Sequence, residues 1–399
     1  MDEGGTEMKV NGFLKDVTGA SRVTKARRDL IRYGDPNNIY RDPIRETAER
    51  LHPDHTDVVC TAVKDASVTS KTYTFKPAEG LLPPFMAGQY VSFDLKIGDT
   101  VTTRPFSISS APYQAIQEDP FFEVTVRKGK EKEGFVSTWF YENVREGDRF
   151  TVHLPFGQFC YEPLRDAKHV LALAGGSGIT PFCSMAKEIA HGTLDLDLTI
   201  LYGSVSTKDI ILEKELGSIS CDRVRFINVI SGEEDYDGEK GFLTANLIRK
   251  YSREDTSYFV CGPLAMYSFV KGELDKLGVP ARRIRMEVFG APRDITKAEG
   301  YPLQEEKTFR LTVVRGIQED VIEASSLEPL AVAMERAGIK NNTRCRSGAC
   351  GYCRCKLLSG DVFVPAEGDG RRWADKKFGY VHACSAYPLS DCRIRIQIV

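Results

Sequence analysis

The chain has 399 residues, with 54 Lys and Arg against 56 Asp and Glu and a formal net charge of −2. At about 150 residues per domain there is room for two or three cores, and so even a charge balance argues against nucleic acid as a partner. No apolar run approaches the roughly 18 residues of a membrane span. The start, Met1 to Val10, is polar and acidic with no secretory apolar segment. Five of the 11 cysteines fall between Cys345 and Cys384, which in a chain without an export signal suggests a metal site in a reducing cytoplasm.

Residues 1–56 form a polar N-terminal extension. Arg22, Lys25, Arg27, Arg28 and Arg32 crowd one stretch with only Asp29 opposing. Asp42-Pro43 suits a helix start, Ile44, Ala48 and Leu51 would share a face, and Pro53 would stop the helix. A helix folded back on its neighbouring barrel domain (residues 57–164), basic face in water, is favoured over a docking element for a partner protein. Residues 57–164 read as short strands and turns, such as Tyr90 to Leu95 and Phe122 to Val126, with alternating apolar positions. That pattern predicts a small antiparallel β-barrel. Residues 165–290 change period. The apolar run His169 to Ala174 suits a strand buried on both faces, a helix follows from Pro181, and strands return at Leu198 to Tyr202 and Ser257 to Val260, so an α/β domain with a parallel sheet is expected. Residues 291–307, rich in Pro, Gly and charge from Pro292-Arg293 to Glu305-Glu306-Lys307, read as a linker. Residues 308–399 form a last unit: strand Phe309 to Val314, helix Glu328 to Ala337, then a cysteine loop.

That loop runs Cys345-Arg346-Ser347-Gly348-Ala349-Cys350-Gly351-Tyr352-Cys353, with Cys384 far downstream. C-x4-C-x2-C plus a distant fourth Cys is plant-type [2Fe–2S] spacing. Gly348 and Gly351 permit the positive φ and close approach a backbone needs to aim its N–H groups at sulfur. A structural zinc site prefers paired C-x2-C units, and only one is present. The segment resembles the plant-type ferredoxin domain in the version fused to flavin reductases. The resemblance covers residues 308–399 and implies a β-grasp α+β fold, with Cys345, Cys350, Cys353 and Cys384 as cluster ligands. Cys355 and Cys392 match no ligand position and read as small buried hydrophobes.

Arg104-Pro105-Phe106-Ser107 follows the strand from Gly88 to Phe93. Arg104 can grip phosphate oxygens, Phe106 can pack on an isoalloxazine face and Ser107 can hydrogen-bond its edge; in isolation the stretch could equally be an exposed strand edge. Residues 57–290 resemble the ferredoxin–NADP reductase family, whose flavin motif is Arg-x-Tyr-Ser, with Phe106 here in place of Tyr. The family's Gly-x-x-Ser element, which takes the flavin pyrophosphate, appears as Gly134-Phe135-Val136-Ser137. Ser137 is expected to cap a helix and leave N–H groups aimed at phosphate. FAD is expected, with FMN the alternative, as in the phthalate dioxygenase reductase type, which shares this domain order.

Ala174-Gly175-Gly176-Ser177-Gly178-Ile179-Thr180-Pro181 is neither the G-x-G-x-x-G fingerprint nor a P-loop. Its glycines allow close backbone approach, Thr180 could cap a helix and Pro181 suits a first turn. It matches the family's Gly-Gly-x-Gly-Ile-x-Pro, which implies nicotinamide dinucleotide binding by Gly175, Gly176, Gly178 and Thr180. The family places the Cys-Gly-Pro of Cys261, Gly262 and Pro263 at the nicotinamide, so Cys261 would position the hydride and, with Ser107, flank the catalytic site. Phe289, in Glu287-Val288-Phe289-Gly290, is expected to border the flavin. Family members preferring NADP carry a Ser-Arg pair after the fourth strand; here the corresponding stretch ends in Glu233-Glu234. NADH is therefore expected over NADPH, although Lys208 counts weakly the other way.

The resemblance implies a three-module cytoplasmic reductase, with electrons passing from NADH through flavin to the cluster and on to a partner redox protein. Residues 305–399 hold 15 basic against 12 acidic residues. Arg344, Arg346, Arg354, Arg371, Arg372, Lys376 and Lys377 lie near the cysteine loop in sequence, which suggests an acidic docking face on the acceptor. The alternatives are a self-contained reductase of a ferric chelate, quinone or nitric oxide, and a redox-sensing binding protein.

Overall fold

A computed structural model describes residues 12–33, 42–129, 134–292, 294–366 and 369–397. The polar start Met1 to Val10 and Arg293 of the expected linker lie outside the described residues. The chain divides into two units, Met1–Glu49 and Arg50–Val399. The first holds α1 (Phe13–Tyr33), whose described side chains are exposed apart from a half-buried Asp29. Helix α2 (Pro43–Leu51) begins as expected, because Asp42 Oδ1 accepts from the N–H groups of Ile44 and Arg45, each at 3.1 Å. None of its side chains is buried, Ile44 included, contrary to the expectation of a packed face.

Three larger sheets and one two-stranded sheet build the described part of the second unit. Strands β1 (Thr56–Ser67), β2 (Ser70–Pro77), β3 (Tyr90–Ile97), β4 (Thr100–Ser107), β5 (Phe122–Arg127) and β6 (Arg149–Phe156) form an antiparallel sheet in the order β4-β3-β6-β1-β2-β5. Helix α3 (Phe135–Asn143) buries Val136 and Phe140 in the same core as Phe75, Phe93 and Phe122. The nucleotide sheet is wholly parallel. It comprises β7 (His169–Gly175), β8 (Asp197–Ser204), β9 (Val224–Ile230), β10 (Glu239–Lys240), β11 (Thr256–Cys261) and β12 (Ile284–Met286), ordered β10-β9-β8-β7-β11-β12. All seven residues of β7 are buried, because helices cover both faces. Val170, Ala172 and Ala174 meet α4 (Thr180–His191), with α5 (Glu213–Gly217) on the same side. Leu171 and Leu173 meet α6 (Ala245–Tyr251) and α7 (Leu264–Lys276). A both-faces-covered strand needs no alternation, which is why it reads as a continuous apolar run.

The third sheet carries β13 (Thr308–Arg315), β14 (Gln318–Ser325), β15 (Arg354–Ser359), β17 (Tyr380–His382) and β19 (Cys392–Arg395) in the order β14-β13-β19-β15-β17, while β16 (Val362–Phe363) pairs with β18 (Tyr387–Pro388). Helix α8 (Leu330–Arg336) buries Leu330, Ala331, Ala333 and Met334 against it, and α9 (Trp373–Lys377) lies beside β17. Cys355 and Cys392 sit in this apolar core. The expected linker is packed rather than free: Ile295 is buried, Tyr301 Oη donates to the Ser326 carbonyl at 2.9 Å, and its ring meets Phe363 edge-on. No helix among the described residues is long and apolar enough to cross a membrane.

One glycine and one histidine show how tightly the nucleotide sheet is built. A Cβ on Gly178 would lie 2.1 Å from the Cys261 carbonyl oxygen. Gly178→Ala should therefore destabilise the chain by about 1–3 kcal/mol through overpacking, read as a lower urea midpoint at unchanged slope. His169 is buried, its ring nitrogens on Thr256 Oγ1 (3.0 Å) and Thr199 Oγ1 (3.2 Å). Burial, with help from Arg253, pushes its pKa down to about 4. An unfolded histidine titrates near 6.5, so below that pH the unfolded chain takes a proton the folded chain refuses. This contribution is whole above pH ~6.5 and lost as pH falls toward 4. The urea midpoint should fall across that window, and His169→Gln, which cannot charge, should flatten the fall; equal slopes in both proteins would clear His169 of the effect.

Candidate functional site

The strand-end loop of β7 and that of β11 meet. Gly175 and Gly176 lead into a 3-10 turn over Gly176–Ile179, and Gly178 packs on the Cys261–Gly262 backbone. A Cβ on Gly175 would lie 2.7 Å from Met266 Sδ and 3.2 Å from Pro263 Cδ. The predicted set Gly175, Gly176, Gly178, Thr180, Cys261, Gly262 and Pro263 is thus one structural element. Thr180 is not the expected cap. It is the first residue of α4, and its hydroxyl donates back to the Ser177 carbonyl at 2.9 Å. Arg127, from the barrel strand β5, lies beside this loop: Nη1 is 3.1 Å from where a Gly176 Cβ would sit. Sequence reasoning missed it, because nothing local in β5 marks one arginine of an edge strand as facing another module.

The acidic stretch follows β9, which is the third strand of this sheet in chain order, not the fourth. Glu233 Oε1 accepts from Ser206 Oγ (2.6 Å) and from the Thr207 N–H (2.8 Å), so its carboxylate caps the loop that follows β8. These donors, chiefly Ser206, hold its pKa below the usual carboxylate value. Glu234 and Lys208 are exposed.

On β4, Thr103, Pro105 and Ser107 are buried and Arg104 and Phe106 half-buried. The Arg104 Nε is nonetheless buried with no hydrogen-bond partner among the described residues. Burial, and the neighbouring Arg346 cation, push its pKa down to about 9. A desolvated guanidinium with an orphaned Nε donor fits a phosphate-bearing cofactor. Phe106 rests on Phe93 and Phe140, at centroid distances of 5.8 and 5.1 Å. Ser137 is not the N-cap. Gly134, at φ +68°, starts α3, and the Ser137 hydroxyl donates to the Gly134 carbonyl at 3.0 Å from within the first turn. A left-handed φ is cheap only for glycine, so the glycine takes the boundary position.

The segment after β12 joins the elements. The Glu287 N–H donates to the Val260 carbonyl at 3.2 Å, and Tyr267 Oη donates to the Glu287 carbonyl while accepting from the Gly262 N–H at 3.1 Å. The Glu287 carboxyl is buried; burial and the nearby Cys345 push its pKa up to about 8, and Ser107 draws it back in part. Its Oε2 has no hydrogen-bond partner among the described residues. The Gly290 N–H donates to the Cys345 carbonyl at 3.4 Å. Aromatic rings mark the same path. Phe289 meets Tyr90 edge-on at 5.2 Å, Tyr90 lies 5.8 Å from Phe156, and Phe156 meets Tyr352 of the cysteine loop at 5.2 Å. Glu287, Tyr90, Phe156 and Tyr267 were not singled out in the sequence, since a buried Glu and three core aromatics carry no local pattern.

Cys345, Cys353 and Cys384 are buried and Cys350 is exposed. Their thiols are electrostatic neighbours in series: Cys350 of Cys345, Cys345 of Cys384, Cys384 of Cys353. The backbone aims at sulfur. The Gly348 N–H donates to Cys384 Sγ (3.3 Å), the Cys350 N–H to Cys345 Sγ (3.4 Å) and the Cys384 N–H to Cys353 Sγ (3.5 Å). Such N–H···S bonds suit thiolates around an anionic iron–sulfur cluster. Gly348 and Gly351 have φ of +80° and +76°, as the wrapped loop requires.

Comparison with known proteins agrees with this architecture. Residues 172–272 match the oxidoreductase NAD-binding domain, and residues 316–389 match the 2Fe-2S iron-sulfur cluster binding domain. The glycine betaine monooxygenase reductase subunit of Chromohalobacter salexigens is 27% identical over 355 residues, 85% of this chain and 94% of that protein. The subunit of the same name in Pseudomonas aeruginosa is 28% identical over 349 residues, 84% and 93% of the two chains. The solved structure of phthalate dioxygenase reductase superposes with a TM-score of 0.63 at 20% identity, covering 86% of this chain and 98% of that one, and so shares its fold. The chain thus carries an oxidoreductase NAD-binding domain followed by a C-terminal 2Fe-2S iron-sulfur cluster binding domain, and over most of its length it is similar to oxygenase reductase subunits.

Proposed function

We propose that the chain delivers electrons from NADH, by way of FAD and a [2Fe–2S] cluster, to an external redox protein, an oxygenase component by analogy with the relatives. The observation that carries this reading is the convergence on residues 287–290. The Glu287 carboxyl is buried within electrostatic reach of Ser107 and Cys345, its backbone is tied to the Cys261–Gly262 loop, and Gly290 bonds the cysteine loop. A flavin bound there would supply the conversion of one hydride's two electrons into the single electrons that a one-electron cluster requires.

In this reading Gly175, Gly176, Gly178 and the start of α4 cradle the dinucleotide pyrophosphate, with Arg127 beside them supplying charge. Cys261, Gly262 and Pro263 hold the nicotinamide against the flavin. Cys261 acts by shape alone, since burial raises its thiol pKa and keeps it protonated. Ser107 and Glu287 hold a hydrogen-bonding pair at the ring edge. Arg104 and the N-terminus of α3, with Gly134 and Ser137, supply two anion positions; two suit a pyrophosphate, hence FAD over FMN. Cys345, Cys350, Cys353 and Cys384 hold the cluster. Two carboxylates after β9 disfavour a 2′-phosphate, hence NADH over NADPH. The acceptor has an acidic docking face, and the setting is the cytoplasm. Reduction of a small acceptor is the second reading, and a turnover assay with ferric citrate or a quinone in the absence of any partner protein separates the two.

Purified protein should carry two irons, two acid-labile sulfides and one flavin per chain. Cys345→Ser or Cys384→Ser should abolish cluster absorbance and leave NADH reduction of the flavin intact, whereas Cys392→Ser should retain the cluster; zinc in place of iron in anaerobically prepared protein would sink the assignment. In stopped flow, NADH should reduce the flavin faster or at lower concentration than NADPH. Gly176→Val should block both, because Gly176 holds φ +53° and a side chain there would meet the pyrophosphate.

A further inference from the structure

Of the seven cations near the cysteine loop in sequence, the fold turns two inward. Arg344 and Arg346 are buried. Arg344 stacks over Phe156 and Tyr352, at 5.5 and 5.9 Å, and Arg346 bonds the Thr103 carbonyl on β4 at 3.1 Å. That side of the loop is covered by the barrel. On another side lies a lip, residues 369–378, whose Gly370 packs on the backbone of Gly348 and Ala349; a Cβ there would come within 2.5 Å of the Gly348 oxygen. The lip is braced. Buried Asp375 pairs with Arg354, the residue after Cys353, at 2.5 Å, and Asp369 grips Arg371 (2.8 Å) and Lys376 (2.9 Å). What it presents outward is Trp373, 72% exposed, and Phe378, 56% exposed, with Lys377 over both rings at 4.7 and 5.7 Å. Arg372 and Lys376 are exposed beside them. Residues 369–378 hold four cations against two carboxylates.

We propose that this lip is the surface on which the electron-accepting protein docks, and that the acceptor meets it with an apolar patch rimmed by carboxylates. The inference rests on the donor function argued above. An exposed Trp on a rigid support, flanked by Arg and Lys, has the composition of an interface anchor. A folded chain gains nothing intramolecular by leaving an indole in water, and the net positive rim selects an acidic partner and steers its approach. Contact through Gly370 puts a docked partner one backbone layer from the cysteine loop. Arg371, which its position in sequence would include in this face, is instead held by Asp369 and contributes little to it.

The test uses two protein probes of opposite charge with the full, cofactor-loaded chain and NADH: rubredoxin, an acidic one-electron acceptor, and basic cytochrome c. Wild type should reduce rubredoxin at a rate that falls as salt rises. Arg372→Glu with Lys377→Glu should slow rubredoxin reduction about tenfold at low salt and speed cytochrome c. Trp373→Ala should slow rubredoxin several-fold at every salt concentration, and all variants should keep wild-type flavin reduction and cluster spectra. Carbodiimide coupling of rubredoxin should map to Lys376 and Lys377 and be lost on reversal of charge. Rubredoxin rates within twofold of wild type in both variants, or equal slowing of both probes, would overturn the lip as the docking face. If wild type reduces ferricyanide but neither protein, the donor function itself fails and the lip falls with it.

Discussion

Everything about this molecule as an electron conduit depends on one buried ion pair that closes the seam between barrel and iron–sulfur domain. Arg346, inside the cysteine loop, holds both oxygens of Glu335 on α8, with Nη1–Oε1 at 2.7 Å and Nη2–Oε2 at 2.8 Å. Both partners are buried. The pair also recruits β4: Thr102 Oγ1 donates to Glu335 Oε2 at 3.0 Å, Arg346 donates to the Thr103 carbonyl, and the Thr103 hydroxyl donates to the Thr343 carbonyl. Burying two charges is expensive, and it is tolerated when every donor and acceptor is matched, as here. The penalty for separating the partners is large, about 3–5 kcal/mol for an orphaned buried charge. The seam therefore specifies one mutual orientation of the two modules and not a range of them.

That orientation explains why the site is assembled from distant parts of the chain. Arg346 adopts a left-handed φ of +61°, uncommon for a side-chain-bearing residue, and its guanidinium reaches the barrel. The same turn leaves the Gly348 and Cys350 amides free to point at sulfur. Arg344 follows the inward course and meets Phe156. The chain at 287–290 is drawn to the loop by the Gly290 hydrogen bond. The nucleotide sheet thereby contributes its last segment to the same junction.

The fold class was legible because each module writes its period plainly. Alternation marks β3 and β5, a continuous apolar run marks β7, and the C-x4-C-x2-C spacing marks the cluster loop. Strand-end glycines were legible because a missing side chain is a local statement. Gly178 against Cys261 is its physical content. Caps were misread at Thr180 and Ser137 because either residue can accept from an N–H or donate to a carbonyl, and sequence does not say which partner is nearer. Charges were misread for a related reason: Arg344, Arg346 and Arg371 look like the surface cations Arg372 and Lys377 until the positions of Glu335, Phe156 and Asp369 are known. Glu287 could not be singled out at all, since what distinguishes it is a desolvated setting built from three segments.

The threonine seam on β4 also bears on how such proteins recombine. Thr102 and Thr103 are buried, and each hydroxyl donates to an acceptor on the other module, Glu335 Oε2 and the Thr343 carbonyl. A foreign iron–sulfur domain lacking the Arg346–Glu335 couple would deprive the Thr102 hydroxyl of its carboxylate acceptor and the Thr103 carbonyl of its guanidinium donor, a cost of about 1–3 kcal/mol for each group. Barrel and iron–sulfur domain are therefore heritable as a pair and not as interchangeable cassettes, and the strand that joins them records which partner each was shaped to keep.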